Sequence, residues 1–311
     1  MSGGILKGAI VTGANGFLGH MLAVRLAGAG VPTVAMSRRD GSRGFEPSRS
    51  VVGPLDSPDV WEQVARSLSS LDRCAIFHAA GLNSREGAQA DPLGAVQANI
   101  GLTAAVLEGA RRLGVPRVVF LSTGLLYHRD GRSRYAESDP VRPASMYATT
   151  KAAGELLVKG YADTFGLSCV LARLSNVYGT GSSPESIAGR LFGQAAQGGP
   201  LRVRSATPIR DFIFVEDATA GIIAAAGAEH VPPVWTVNVS SGEGVSVGSF
   251  AEVVRRVTGL GDPVIEDQPG GGVDSLVLSN ELIRTTTGWR PLFDLESGIR
   301  RTWATFPGRT S

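Results

Sequence analysis

At 311 residues, with 43% hydrophobic and 19% charged residues and a net charge of +2, the chain has the make-up of a soluble globular protein and room for one large domain or one and a half. So small a net charge offers no basic field for nucleic acid or an anionic membrane. Met1 to Leu6 lack a signal-peptide pattern, no apolar stretch reaches membrane-spanning length, and Cys74 and Cys169 sit in apolar runs that read as strands, so a cytoplasmic protein with buried free thiols is expected.

The first half alternates strand-like and helix-like segments. Residues 8–11 read as a strand, and 17–29 as a helix with Leu18, Leu22 and Leu26 on one face. Strands follow at 32–36 and 50–52, a helix at 60–68, a strand at 75–79, a long helix over 92–113 and a buried strand at 117–121. A second long helix, Met146–Phe165, leads into strand Ser168–Leu174. Short apolar strands separated by helices predict an α/β fold: a doubly wound parallel (Rossmann) sheet covered on both faces. The second half is less regular. Residues 179–184 compose a loop, 187–197 a helix, 212–215 a strand, 218–226 a helix, 235–239 a strand, 249–258 a helix and 262–274 a loop rich in Pro and Gly. The expected division is a dinucleotide-binding domain over 1–175. A smaller, interleaved substrate lobe follows over 176–311, with some segments returning to the Rossmann core.

Gly13, Asn15, Gly16, Phe17, Leu18 and Gly19 form a turn between the first strand and first helix. Its glycines allow a tight turn, close approach of backbone to a pyrophosphate and close packing of helix on strand. The helix N-terminus there favours negative charge. The spacing is Gly-x-x-Gly-x-x-Gly. At the end of the second strand an acidic residue would bind a ribose 2′-hydroxyl. Ser37, Arg38 and Arg39 stand there instead, with Asp40 after them. Two guanidiniums and a hydroxyl suit a 2′-phosphate, so NADP is the expected cofactor, with NAD the alternative; a solvated surface turn accounts for the same residues.

Tyr147 and Lys151 stand at i and i+4, which puts both side chains on one helix face. A phenol titrates at about 10, too high for a base near neutrality, and a neighbouring ammonium favours the phenolate. The pair can therefore take a proton from a carbinol as hydride leaves, or give one to a carbonyl as hydride arrives. Thr123, at the carboxyl edge of the buried strand, is the expected partner for the reacting oxygen; Ser122 is its rival, and sequence leaves open which points inward. Asn99 is either a contact for a water that links Lys151 to solvent or a simple polar helix residue. The long helices 92–113 and 146–165 both carry apolar faces, explained by a homodimer interface or by a core-facing stripe.

With these residues placed, the chain resembles the extended short-chain dehydrogenase/reductase family, nucleotide-sugar epimerase/dehydratase type, almost end to end. The resemblance rests on Thr12 to Gly19, His78-Ala79-Ala80-Gly81, Asn99, Leu121-Ser122-Thr123, Tyr147 to Lys151, Ala172 to Gly179, Arg210 to Asp217 and Thr287 to Pro291. It implies that Thr123, Tyr147 and Lys151 form the catalytic set, with Asn99 beside them. Leu55, Ala79, Ala80, Gly81 and Lys151 would join the cofactor contacts. Asn176 would hold the substrate near its diphosphate, and Arg210 would contact a phosphate. From the residues alone, Arg210 suits a phosphate or a surface ion pair with Asp211. His78 matches the strand end beside the cofactor and need not be catalytic.

Several departures narrow what the resemblance implies. Dehydratases of the family carry an acidic pair after the catalytic threonine, where this chain has Gly124 and Leu125. Epimerases acting next to a ketone use a cysteine and a second base, whereas Cys74 and Cys169 lie in strands elsewhere. Pro54, then Asp56, stand where an aspartate usually reads adenine. Gln268 replaces a second phosphate-binding arginine, and Arg204-Ser205-Ala206-Thr207-Pro208 replaces a glycine-rich nucleotide-contacting stretch. These changes spare the redox residues. The first expectation is a ketoreductase acting on a nucleotide-linked deoxysugar or similar substrate. The second is an NAD-dependent nucleotide-sugar 4-epimerase, and the third a non-catalytic dinucleotide-binding redox sensor. No metal site is expected.

Overall fold

A computed structural model of the chain describes residues 6–39, 49–260, 264–265 and 275–308. The first half folds in the order β1 (Gly8–Thr12), α1 (Phe17–Gly28), β2 (Thr33–Ser37), β3 (Arg49–Val52), α2 (Pro58–Ser67), β4 (Cys74–His78), α3 (Arg85–Ala90), α4 (Pro92–Val96), α5 (Leu102–Leu113), β5 (Arg117–Thr123), α6 (Met146–Phe165) and β6 (Ser168–Leu174). It continues as β7 (Asn176–Tyr178), α7 (Ile187–Ala196), β8 (Arg202–Val203), β9 (Ile209–Phe214), α8 (Val215–Ala226), β10 (Val234–Val239), β11 (Gly244–Ser246), α9 (Val247–Thr258), β12 (Val264–Ile265), β13 (Ser275–Leu276), α10 (Glu281–Thr287) and α11 (Leu295–Ala304).

Seven strands form one parallel sheet in the order β10-β6-β5-β4-β1-β2-β3. The chain winds outward from β1 to β3, then crosses back to β4 and outward again. The strand order therefore reverses between β1 and β4, and the carboxyl ends there open a crevice. Alternate residues of each strand enter opposite layers. Ala9, Val11, Phe77, Val119 and Val170 pack with Leu22, Leu26 and Ile222 on one face. Ile10, Ile76, Val118, Phe120 and Leu171 pack with Trp61, Val106 and Val158 on the other. Burial on both faces is why these strands read as unbroken apolar runs.

The rest of the chain adds a second sheet, β11-β9-β13, with β7 also paired to β9, and a short β8–β12 pair. A cluster around Phe192, Phe212, Phe214, Phe250 and Ile299 fills its core. β10 belongs to the large sheet, alongside β6.

Three features differ from the sequence expectation. The helix over 92–113 is interrupted: Gln97–Gly101 form a π-helical turn, an inserted residue that turns Asn99 into the interior. β5 extends through Ser122 and Thr123, so Thr123 ends the strand rather than following it. Short elements such as α3, β7, β11 and α10, and the longer α11, have no counterpart in the expected pattern. The loop expected over 262–274 lies mostly outside the described residues, as does Asp40.

Candidate functional site

The turn after β1 is built by steric necessity. Gly13 has φ +68, and a Cβ there would lie 2.7 Å from the Ala80 nitrogen; a Cβ on Gly19 would lie 2.2 Å from the Gly13 carbonyl. Gly13 thus lets the turn pass against the end of β4, and Gly19 lets α1 close on the turn. α1 begins at Gly16 with no side-chain cap, so its first N–H groups remain for an anion. Beside it lies a cavity of about 560 Å³ bounded by Gly13, Asn15 and Gly16, the strand-end residues Ser37, Arg38 and Arg39, Leu55, and Ala79 to Leu82. A dinucleotide fits this donor set.

The expected cofactor residues divide within this frame. Phe17 and Leu18 turn their side chains into the apolar core and do not line the cavity. Asn15 Nδ2 donates to the Arg39 carbonyl at 3.0 Å, and Ser37 Oγ donates to the same carbonyl at 2.8 Å. These two residues tie down the strand-end turn, while the Arg38 and Arg39 side chains stay exposed at the cavity.

The proton-transfer residues meet at the end of β5, outside the lining of this cavity. α6 is started by Ser145, whose hydroxyl accepts from the Ala148 N–H, and the first turns carry Tyr147 and Lys151 inward. The Thr123 side chain lies close enough to the Tyr147 phenol to lower its pKa. Ser122, on the opposite side of the strand, donates to Glu155 Oε1 at 2.6 Å, so Thr123 is the residue that faces the phenol. Lys151 Nζ donates to the Leu121 carbonyl at 2.8 Å and lies 4.9 Å from the centre of the Phe120 ring.

Burial pushes the Tyr147 phenol up to about 12, and the Thr123 side chain opposes it. The sequence expects Lys151 to lower that phenol. Its ammonium is instead engaged with β5, and burial draws Lys151 down to about 8, opposed by the Glu155 charge.

Asn99 departs from expectation in its contacts. Its amide is spent within the protein: Oδ1 accepts from the Leu82 N–H at 2.8 Å, and Nδ2 donates to Thr150 Oγ1 at 2.9 Å, which itself donates to the Tyr147 carbonyl at 2.9 Å. The side chain therefore links the cavity wall at Leu82 to the backbone of Tyr147. Thr103 Oγ1 donates to the Asn99 carbonyl at 2.5 Å and so accepts from His78 Nε2 at 3.1 Å. His78 Nδ1 then accepts from Thr12 Oγ1 at 2.9 Å, and Thr12 accepts from the Ala80 N–H at 3.2 Å. Burial, with the Lys151 charge adding to it, drives His78 down to about 3. A neutral imidazole with both nitrogens bonded acts as a structural post.

Arg210 and Asn176 lie in the second lobe, with Asn176 opposite Phe212 where β7 meets β9. Arg210 lines a separate cavity of about 200 Å³ together with Arg190, Arg202, Arg204, Ser205 and Pro208. Asp211 points elsewhere: it is buried and accepts from the Ser241 N–H and hydroxyl and from the Gly242 and Leu278 N–H groups. Sequence reasoning missed Arg190 and Arg202 as neighbours of Arg210; the arginine-rich stretch through Arg204 was their visible trace. Cys74 and Cys169 are buried free thiols, both raised to about 12 by burial. Among the described residues no helix is long and apolar enough to cross a membrane.

The model of the NAD dependent epimerase/dehydratase family matches residues 9–239. The chain is 31% identical over 304 residues to a UDP-glucose 4-epimerase of Streptomyces lividans, covering 91% of each. It is 28% identical to a dTDP-6-deoxy-L-talose 4-dehydrogenase (NAD(P)(+)) of Kitasatospora kifunensis, across 94% of this chain and 93% of the relative. The solved UDP-glucose 4-epimerase of Thermus thermophilus, in complex with NAD, superposes with a TM-score of 0.83 at 26% identity, covering 97% of this chain and 99% of that one.

Proposed function

The chain belongs to the NAD dependent epimerase/dehydratase family, and we propose that it transfers a hydride between a nicotinamide dinucleotide and a sugar carbon, as a ketoreductase on a nucleotide-linked deoxysugar or similar substrate. One observation carries the reading: the Thr123 side chain set beside the Tyr147 phenol at the carboxyl end of β5, with Lys151 one turn further along α6. The dinucleotide, when bound, supplies the hydride to the carbonyl carbon and in its oxidised form places a positive charge in the site.

Tyr147 delivers its proton to the carbonyl oxygen as that oxygen takes up the electron pair of the broken π bond, and takes the proton back in the reverse direction. Thr123 orients the same oxygen by hydrogen bonding. Lys151, bonded to the Leu121 carbonyl, ties α6 to the end of β5 that carries Thr123. Asn99 fixes the backbone of Tyr147 relative to the cavity wall. Arg210, with its arginine neighbours, holds the phosphate-bearing end of the substrate, and Asn176 holds the substrate near its diphosphate.

Reduction is favoured over epimerisation by Arg38 and Arg39, whose side chains at the cavity suit the 2′-phosphate of an exchangeable NADPH. A second reading, a nucleotide-sugar 4-epimerase with retained NAD, draws support from the Streptomyces lividans relative and uses the same three residues. Purified protein is expected to reduce a nucleotide-linked ketosugar with added NADPH, at roughly tenfold or greater preference over NADH. Protein that carries bound NAD and interconverts two sugars with no added cofactor contradicts the reductase reading and leaves the epimerase.

Leu93 and Leu156, each 68% exposed on α4 and α6, go beyond a core-facing stripe and support pairing of these helices in a homodimer, to be read by sedimentation.

A further inference from the structure

Tyr147, Lys151 and Glu155 occupy successive turns of one face of α6, and each grips the end of β5. Tyr147 meets Thr123, Lys151 meets the Leu121 carbonyl, and Glu155 accepts from Ser122 Oγ at 2.6 Å. Glu155 is 4% exposed. Its carboxylate also takes Arg173 Nε at 3.0 Å and Nη2 at 2.8 Å. Arg173 stands opposite Ser122 in the β5–β6 ladder, and its guanidinium lies 5.0 Å from the Tyr127 ring centre. The carboxylate is thus locked by three hydrogen bonds from two residues.

A buried ion pair of this kind adds little net stability, because desolvating two charges offsets their attraction, and a well-packed apolar pair serves as well. What Glu155, fixed by Arg173, supplies is a negative charge one turn from an ammonium that is itself 8% exposed. The other groups around Lys151 do not replace it. On its own helix Tyr147 is held protonated by burial, His78 from β4 is neutral, and Arg173 from β6 is turned onto Glu155. From β5 come the Phe120 ring and the Leu121 carbonyl, and the interrupted long helix contributes Asn99 and Thr103, which do not titrate.

We propose that Glu155, held by Ser122 and Arg173, is a positioning residue that keeps Lys151 charged and sets the register in which Tyr147 meets Thr123. The proposal rests on the hydride-transfer reading above. Glu155→Gln preserves shape and removes the charge. With three lysines in the chain, Lys7, Lys151 and Lys159, the ε-carbon of Lys151 can be followed directly by NMR. Its midpoint, near 8 in the unaltered protein, is expected to fall by about one pH unit in Glu155→Gln. The alkaline limb of kcat should fall with it while dinucleotide affinity holds. Glu155→Asp, which keeps the charge, should leave the midpoint in place. A folded Glu155→Gln protein with an unmoved midpoint overturns the proposal. If that variant does not fold, the double replacement Glu155→Met with Arg173→Met removes the pair whole; it is expected to fold and to show a smaller fall, since a cation is lost with the carboxylate, and a midpoint that does not fall there overturns the proposal. If no nucleotide sugar is turned over by the unaltered protein, the hydride-transfer reading fails while the lysine titration still decides the role of Glu155.

Discussion

At the end of β5 the polar side chains are packed in and held: Thr123 beside Tyr147, Ser122 bonded to Glu155, Lys151 to a strand carbonyl, Asn99 to Leu82 and Thr150. Around Arg210 the construction is opposite. Arg202 and Arg204 are exposed and Arg190 half-buried, on short strands and helix ends of the second lobe. The first region has one geometry, imposed by packing. The second has long cationic side chains that can follow different ligands. On the proposed hydride-transfer reading, reaction chemistry is fixed in the sheet, while the choice of substrate is left to the lobe.

The contrast can be broken by comparing substitutions in the two regions. Thr123→Val should lower kcat by about 10²-fold, since a bond aimed at the reacting oxygen matters most in the transition state. A change confined to KM would place Thr123 outside the chemistry. Arg204→Ala should instead raise KM by about three- to tenfold with kcat held, because an exposed phosphate contact stabilises ground state and transition state alike. Steady-state kinetics on a nucleotide-linked sugar reads both, and a kcat effect from Arg204→Ala would mean that the lobe takes part in the chemical step.

Legibility in the sequence follows the same divide. The strands of the large sheet announce themselves because burial on both faces demands apolar runs, and α6 is marked at both ends, by Ser145 and by Gly166 in the left-handed conformation. The Tyr147–Lys151 spacing was visible for the same reason. The π-helical turn at Gln97–Gly101 was not, because its residues suit an ordinary helix and only the tertiary bonds of Asn99 select the wider turn. Ser122 and Thr123 were indistinguishable until the twist of β5 and the place of Glu155 were known. α11 had a signal, an Asp294 cap with Leu295, Ile299 and Trp303 on one face, which its many charges obscured. The arginines around Arg210 are scattered over 21 residues of chain, from Arg190 to Arg210, and converge only through the pairing of elements.

Tyr147→Phe, assayed for turnover and for dinucleotide binding on the same preparation, bears hardest on the assignment of the phenol as the proton donor and acceptor. Removing the hydroxyl should cut kcat by about 10²–10⁴-fold and leave dinucleotide affinity within about twofold, since the cavity at Gly13 to Gly16 does not include Tyr147. Turnover that survives the loss of that oxygen would show that another group moves the proton.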